Sequence, residues 1–211
     1  INFAANTYNF IENIDPNNNS EWSLILDYSN INNLSNRIDS TSYDLELNNK
    51  SIYLSGSLVD DYWQVSEDNN KGFVAKLNSD GTQEWIKGID GEIYSVSNSN
   101  DGGVYAAGGT GFLELDLGSL SYNDQISSAF ISKYNQDGSL EFNSTIDSQY
   151  SQYEFITDIL RTDEGNLIST GITQSEGNDI NANVSKFDNY GNLIWSKELD
   201  QQPSSVGVGI T

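Results

Sequence analysis

Apolar and polar residues alternate with a period of two in short runs along the whole chain, and no stretch sustains a helical apolar period for three turns. Ser51-Ile-Tyr-Leu-Ser-Gly56 and Gly103-Val-Tyr-Ala-Ala-Gly108 are two such runs. Asp-Gly, Asn-Asn and Asn-Asp steps punctuate them, and these residues take turn conformations that bulkier side chains resist. The pattern predicts short antiparallel strands, half-buried and joined by tight turns.

The runs repeat, and the repeat decides the architecture. Phe73-Val-Ala-Lys-Leu-Asn-Ser-Asp-Gly-Thr-Gln-Glu-Trp85 returns as Phe130-Ile-Ser-Lys-Tyr-Asn-Gln-Asp-Gly-Ser-Leu-Glu-Phe142. It returns again as Asn183-Val-Ser-Lys-Phe-Asp-Asn-Tyr-Gly-Asn-Leu-Ile-Trp195, and a degenerate first copy runs from Phe10 to Trp22. The aromatic anchors Trp22, Trp85, Phe142 and Trp195 stand 63, 57 and 53 residues apart. Ahead of the later copies lie strands ending in Gly56, Gly108 and Gly171, each preceded by another short alternating run at 43–47, 94–98 and 155–161. Each period therefore holds four strands, lettered A to D, with a bulky aromatic on the last, which is the sequence form of a β-propeller blade. The fold class expected is all-β, a propeller of four-stranded antiparallel blades. Strands C and D of one blade occupy 1–27, whole blades fill 41–90, 91–147 and 153–200, and 204–211 reads as the first strand of a further one. Propellers typically use about four to eight blades, so the expectation is an incomplete segment, closed by the rest of a longer chain or by a second copy.

Residues 72–110, with Lys-Leu-Asn-Ser-Asp-Gly-Thr-Gln-Glu-Trp followed by Tyr-Ser-Val-Ser-Asn-Ser-Asn-Asp-Gly-Gly-Val-Tyr-Ala-Ala-Gly-Gly-Thr, resemble the bacterial SBBP-type β-propeller repeats of secreted and cell-surface proteins. The insert 111–128, with Phe112, Leu115, Asp116, Leu117 and Gly118, resembles an elaboration of the same family. The resemblance covers nearly the whole chain. It implies a propeller fold and an extracellular or cell-surface setting, and it carries no catalytic signature.

Composition narrows the chemistry. The 211 residues include 31 acidic and 9 basic side chains, a formal charge of -22, and no Cys, His or Met. Disulfides, thiol or imidazole catalysis and His- or Cys-ligated zinc are excluded within this sequence. The charge argues against nucleic acid or an anionic membrane surface as partner, and no run is apolar enough for membrane insertion. Asn and Ser, 27 and 29 residues, would suit a disordered chain, but 12 Tyr, 8 Phe and 4 Trp spread along the length supply a core. Beginning at Ile1 without an initiator Met or signal peptide, the sequence reads as a processed chain or part of a longer one.

Repeated residues invite two readings each. Asn78 and Asp80 offer oxygen ligands of the kind Ca2+ takes, yet Asp80-Gly81, Asp137-Gly138 and Tyr190-Gly191 also read as turns whose glycine needs a positive φ. The turn reading is preferred, so no cofactor is expected and calcium is the alternative. Lys76, Lys133 and Lys186 share one position and suit ion pairs with carboxylates of adjacent strands. The aromatic anchors suit packing between blades. Gly56, Gly108 and Gly171 suit close backbone approach or a bulge.

Antiparallel order puts the short A–B and C–D turns on one face and the long, variable B–C and D–A connections on the other. Binding residues usually sit in such variable loops on a rigid scaffold. Loops at 58–71, 110–128 and 173–181 gather Asp60, Asp61, Tyr62, Trp63, Glu67, Asp68, Phe112, Glu114, Asp116, Tyr122, Asp124, Glu176 and Asp179 on that face. Acid with aromatic suits a glycan, a cationic protein partner or calcium. No nucleophile elbow, phosphate loop or zinc helix is present. The expectation is a noncatalytic scaffold for interaction or adhesion, with no catalytic residues. The alternative is a carbohydrate-active propeller, a glycoside hydrolase or polysaccharide lyase, working through rim carboxylates.

Overall fold

The computed structural model describes residues 10–14, 16–31, 38–48, 50–60, 70–110, 114–116, 119–121, 127–146, 151–175, 180–199 and 209–210. Strands β1 (Phe10–Ile14) and β2 (Ser20–Ile25) form an antiparallel hairpin. Sheet one follows in chain order as β3 (Ile38–Asn48), β4 (Ser51–Asp60), β5 (Asn70–Asn78) and β6 (Gln83–Asp90). Sheet two is β7 (Glu92–Asn98), β8 (Val104–Gly109), β11 (Ala129–Tyr134) and β12 (Leu140–Ile146), with a small hairpin of β9 (Glu114–Asp116) and β10 (Ser119–Ser121) inserted. Sheet three is β13 (Ser151–Arg161), β14 (Leu167–Ser175), β15 (Ile180–Phe187) and β16 (Leu193–Leu199). All pairings within the sheets are antiparallel. No helix among the described residues is long and apolar enough to cross a membrane.

Two departures from the sequence expectation concern strand length. The first strands of sheets one and three begin at Ile38 and Ser151, ahead of the alternating cores at 43–47 and 155–161. Asp60 ends β4 instead of entering a loop, and Glu114 and Asp116 lie on β9 instead of in an irregular insert. Ladder pairing with β3 carries β4 out to Asp60, and β10 supplies the partner for β9. Neither extension is visible in the local alternation of the strand itself.

The first strand of every sheet carries a β-bulge at one repeated position, with Tyr43, Tyr94 and Thr157 as the extra residues. Facing the bulges are Gly56, Gly108 and Gly171. A Cβ on these glycines would collide with the carbonyl oxygens of Thr41, Glu92 and Phe155, so the repeat keeps glycine there for close backbone approach.

Apolar residues form three clusters, one at each joint between successive elements. Leu26, Tyr28 and Ile31 pack with Leu54, Phe73 and Leu77 of sheet one. Tyr53, Val74 and Trp85 of sheet one pack with Ile93, Val104 and Phe130 of sheet two. Tyr105 and Ile131 of sheet two pack with Ile156, Leu167 and Phe187 of sheet three. The sheets therefore stack face to face as blades do, with β3, β7 and β13 side by side along one edge.

The anchors hold these joints. At the C–D turns Gly81, Gly138 and Gly191 have φ of 82°, 80° and 78°, and each lies under the aromatic of the preceding sheet. A Cβ on Gly138 would stand 2.9 Å from two Trp85 ring atoms, one on Gly191 2.7 Å from Phe142 Cε2, and one on Gly81 2.5 Å from Trp22 Cδ2. Trp22 Nε1 donates to Ser79 O and Trp85 Nε1 to Gln136 O, each at 3.1 Å. Trp195 differs: it is 40% exposed, whereas Trp85 at the same position is 9% exposed. No described turn covers it, whereas Trp22, Trp85 and Phe142 pack at the joints as expected of anchors between blades.

Candidate functional site

The first strands carry a repeated polar joint. Asp44 Oδ2 accepts the Val96 N–H at 2.9 Å and the Ser95 hydroxyl at 2.8 Å, crossing from sheet one to sheet two. Ser95 Oγ in turn accepts the Ile159 N–H at 3.3 Å, crossing to sheet three, and stands 2.8 Å from Asp158 Oδ1 as well as from Asp44 Oδ2, so its single proton is shared between the two carboxylates. Asp158 Oδ2 then accepts the Ile210 N–H at 2.6 Å. A polar side chain just past each bulge thus binds the neighbouring strand one position further on. Further along, Ser97 Oγ accepts the Arg161 N–H at 2.9 Å, and Asn98 Nδ2 donates to Glu46 Oε1 at 2.5 Å. Burial and the nearby Asp44 charge push the Glu46 carboxyl up, against the Asn98 hydrogen bond.

On the face of the short turns, a groove of about 610 Å³ lies between sheets one and two, lined by Lys50, Lys76, Glu84, Asp101, Gln136 and Asp137 among others. Of the repeated lysines Lys76 lines it, and Lys133 pairs with Asp101 of its lining. Lys76 is buried, paired with Glu84 at 2.8 Å and donating to Gln136 O at 3.1 Å. Lys133 pairs with Asp101 at 2.6 Å and Glu141 at 2.8 Å. Burial pushes the Asp101 carboxyl up, but hydrogen bonds from Lys133, Ser99 and the Gly103 N–H outweigh it and bring it down to about 2. Burial would lower Lys133, yet its two carboxylate partners hold it above the usual lysine range. These cations are committed to internal carboxylates, so the groove offers a mixed polar surface in place of a cationic one.

The C–D turns have an internal network. Asp80 Oδ1 accepts the Thr82 N–H at 3.0 Å and its hydroxyl at 2.7 Å, and Asp137 Oδ1 does the same with Ser139 at 2.9 and 2.6 Å. Those hydrogen bonds lower both carboxyls below the usual aspartate range. Among the described residues, no group of three or more His, Cys, Asp or Glu is placed to hold a metal ion.

The variable face is less fully seen. Asp61, Tyr62, Trp63, Glu67, Asp68, Phe112, Tyr122, Asp124, Glu176 and Asp179 lie outside the described residues. The backbone places Asp60 at the end of β4, with Glu114 and Asp116 on β9. The expected strand at 204–211 is described only at residues 209 and 210. Sequence reasoning missed Asp44, Ser95 and Asp158, whose partners lie 51 or more residues away and leave no local trace. It missed the groove for a similar reason, since its walls come from turns of two different sheets. The alignment of Asn100-Asp101-Gly102 with the other A–B turns was the available signal.

No protein-family model and no curated protein matches the chain. Among solved structures, the chain is similar to a Trypanosoma rangeli sialidase in complex with sialic acid, with a TM-score of 0.52 at 8% identity. The similarity covers 94% of this chain and 34% of the sialidase chain. At that identity the likeness is one of fold, and the chain is all-β, a propeller-like stack of antiparallel four-stranded sheets.

Proposed function

We propose that the chain is a noncatalytic, incomplete β-propeller scaffold of a bacterial secreted or cell-surface protein, of the SBBP repeat type its sequence resembles. It binds a protein or glycan through the face of its B–C and D–A loops. One observation carries the reading: in sheets one and two the repeated lysines are paired within their own sheets, and the aspartates past the bulges are spent on holding the joints. Lys76 and Lys133 pair with Glu84, Glu141 and Asp101, while Asp44 binds backbone of the next sheet and Asp158 the backbone at Ile210. Function is thereby left to the variable loops, where acid and aromatic residues collect.

A second reading, a carbohydrate-active propeller, draws support from the fold likeness to a sialidase. Against recognition of an acidic sugar stand the charge of -22 and the internal pairing of the repeated lysines. A glycan array run beside a turnover assay separates the readings. Binding without product release supports the scaffold; product release that is abolished by Asp61→Asn or Glu67→Gln supports the enzyme and sinks the scaffold.

A further inference from the structure

Each sheet carries a row of three residues on the face it turns to its successor: Tyr53, Lys76 and Trp85 in sheet one, Tyr105, Lys133 and Phe142 in sheet two, and Ile168, Lys186 and Trp195 in sheet three. The first two rows are covered by the next sheet, with Tyr53, Lys76, Tyr105 and Lys133 all buried. In the third row Ile168 and Lys186 are half-buried and Trp195 is exposed, beside exposed Leu199 on the same face. The occupied joints show what such a face takes. In all three the covering group is a C–D turn with a positive-φ glycine under the aromatic. The carbonyl two residues before that glycine accepts a hydrogen bond: Ser79 from Trp22, Gln136 from both Trp85 and Lys76, Asn189 from the Tyr105 hydroxyl at 3.1 Å.

Two features of sheet three fit it for the same contact. Ile194 stands where Glu84 and Glu141 pair with their lysines, and among the described residues Lys186 forms no ion pair, which leaves its ammonium to the docking carbonyl. The bond from Ile210 to Asp158 repeats the one from Val96 to Asp44, so the chain at Ile210 already stands where the first strand of a covering sheet begins. The first hairpin offers no alternative occupant. Its C–D turn has Asn18, at φ 65°, in the place of Gly81, and a Cβ there meets the space an aromatic ring takes in the three occupied joints.

We propose that the face of Ile168, Lys186 and Trp195 is a docking surface for a further blade of this repeat type, recognised by a C–D turn with glycine under Trp195, and that Asn18 keeps the chain's own first turn from occupying it. Trp195 Nε1 and Lys186 Nζ donate to the carbonyl two residues before that glycine. The inference rests on the stacking of the sheets and is independent of what the loop face binds.

The test extends the full chain at Thr211 with a copy of its own residues 47–90, which continues the first strand in the register set by the Asp158–Ile210 bond. Hydroxyl-radical footprinting read by mass spectrometry reports Trp195, with Trp22, which lies outside the copied residues and is seated by the Gly81 turn, as the internal reference. Oxidation of Trp195 is expected to fall to the level of Trp22 in the extended chain. It is expected to stay at the level of the unextended chain when the copied Gly81 is replaced by asparagine. Lys186→Met in the extended chain is expected to restore part of the oxidation. Equal protection with glycine and asparagine turns, or no protection with either, overturns the proposal. Concentration-dependent protection of Trp195 in the unextended wild-type chain would assign the face to the chain's own first turn and overturn it as well.

Discussion

The Asp44 carboxylate leaves its own sheet to accept the Val96 N–H at 2.9 Å, and the Ser95 hydroxyl adds a second donor to the same oxygen. Both Ser95 and Val96 are buried; without Asp44 the Ser95 hydroxyl keeps Asp158 Oδ1 as acceptor, but the Val96 N–H would have to find another inside the joint. A buried donor left unpaired costs about 1–3 kcal/mol. Asp44→Ala is expected to destabilise the chain by about that much in urea unfolding, and Asp44→Asn, which keeps an acceptor oxygen, by less. Equal losses in the two variants would mean that the hydrogen bond is not what stabilises the joint.

Gly138 and Gly165 make a matched pair for the aromatic joint. Both have positive φ, 80° and 91°, but a Cβ on Gly138 meets the Trp85 ring at 2.9 Å, whereas on Gly165 it meets only the end of Arg161 at 3.5 Å. Alanine at Gly165 should cost about 1–2 kcal/mol of left-handed backbone strain. At Gly138 the ring contact adds a further ~1–3 kcal/mol of overpacking. Calorimetric melting of the two variants checks the difference, which vanishes if Trp85 yields without cost.

Asp101 sets an acid limit. Its folded pKa of about 2 lies below the ordinary aspartate value, so its pairing with Lys133 stabilises the fold above about pH 4 and the gain is lost as pH falls toward 2. The side chain is 52% exposed, so solvent screening holds the contribution to about 1 kcal/mol or less. Asp101→Asn should flatten the pH dependence of stability between pH 4 and 2. An unchanged acid profile would show that the pair contributes nothing measurable.

How much of this was legible in the sequence depends on the range of each contact. The turns at Gly81, Gly138 and Gly191, with strands C and D around them, were readable because a glycine step, Asp-Gly in two copies and Tyr-Gly in the third, lies with its flanking alternation within one hairpin. The close approach at Gly56, Gly108 and Gly171 was readable because glycine recurs at one strand position. The pairing of Lys76 with Glu84 and Lys133 with Glu141 follows from adjacent strands, whereas at Lys186 the repeat offers Ile194 and no ion pair forms among the described residues. The Asp44 and Asp158 joints and the short-turn groove were not readable, because they arise only once separate periods stack. Most of the predicted loop face lies outside the described residues.

The turn aspartates bear on calcium. Asp80 and Asp137 each hold an N–H and a hydroxyl from within their own turn, which satisfies one carboxylate oxygen without a metal. A chelator is therefore expected to leave the melting temperature unchanged. A fall on adding EDTA that calcium reverses would assign the turns, or the acidic loops, to calcium.

The aromatic-on-glycine contact runs in one direction. Trp22, Trp85 and Phe142 are each seated by a turn that lies later in the sequence, so during synthesis from the N-terminus the ring is already in place when its glycine turn leaves the ribosome. Every newly made sheet meets a surface already made, and its own aromatic face waits only for the sheet that comes next. Growth by vectorial addition then requires no long-range search, and the exposed end of the stack always faces the direction in which the polypeptide grows.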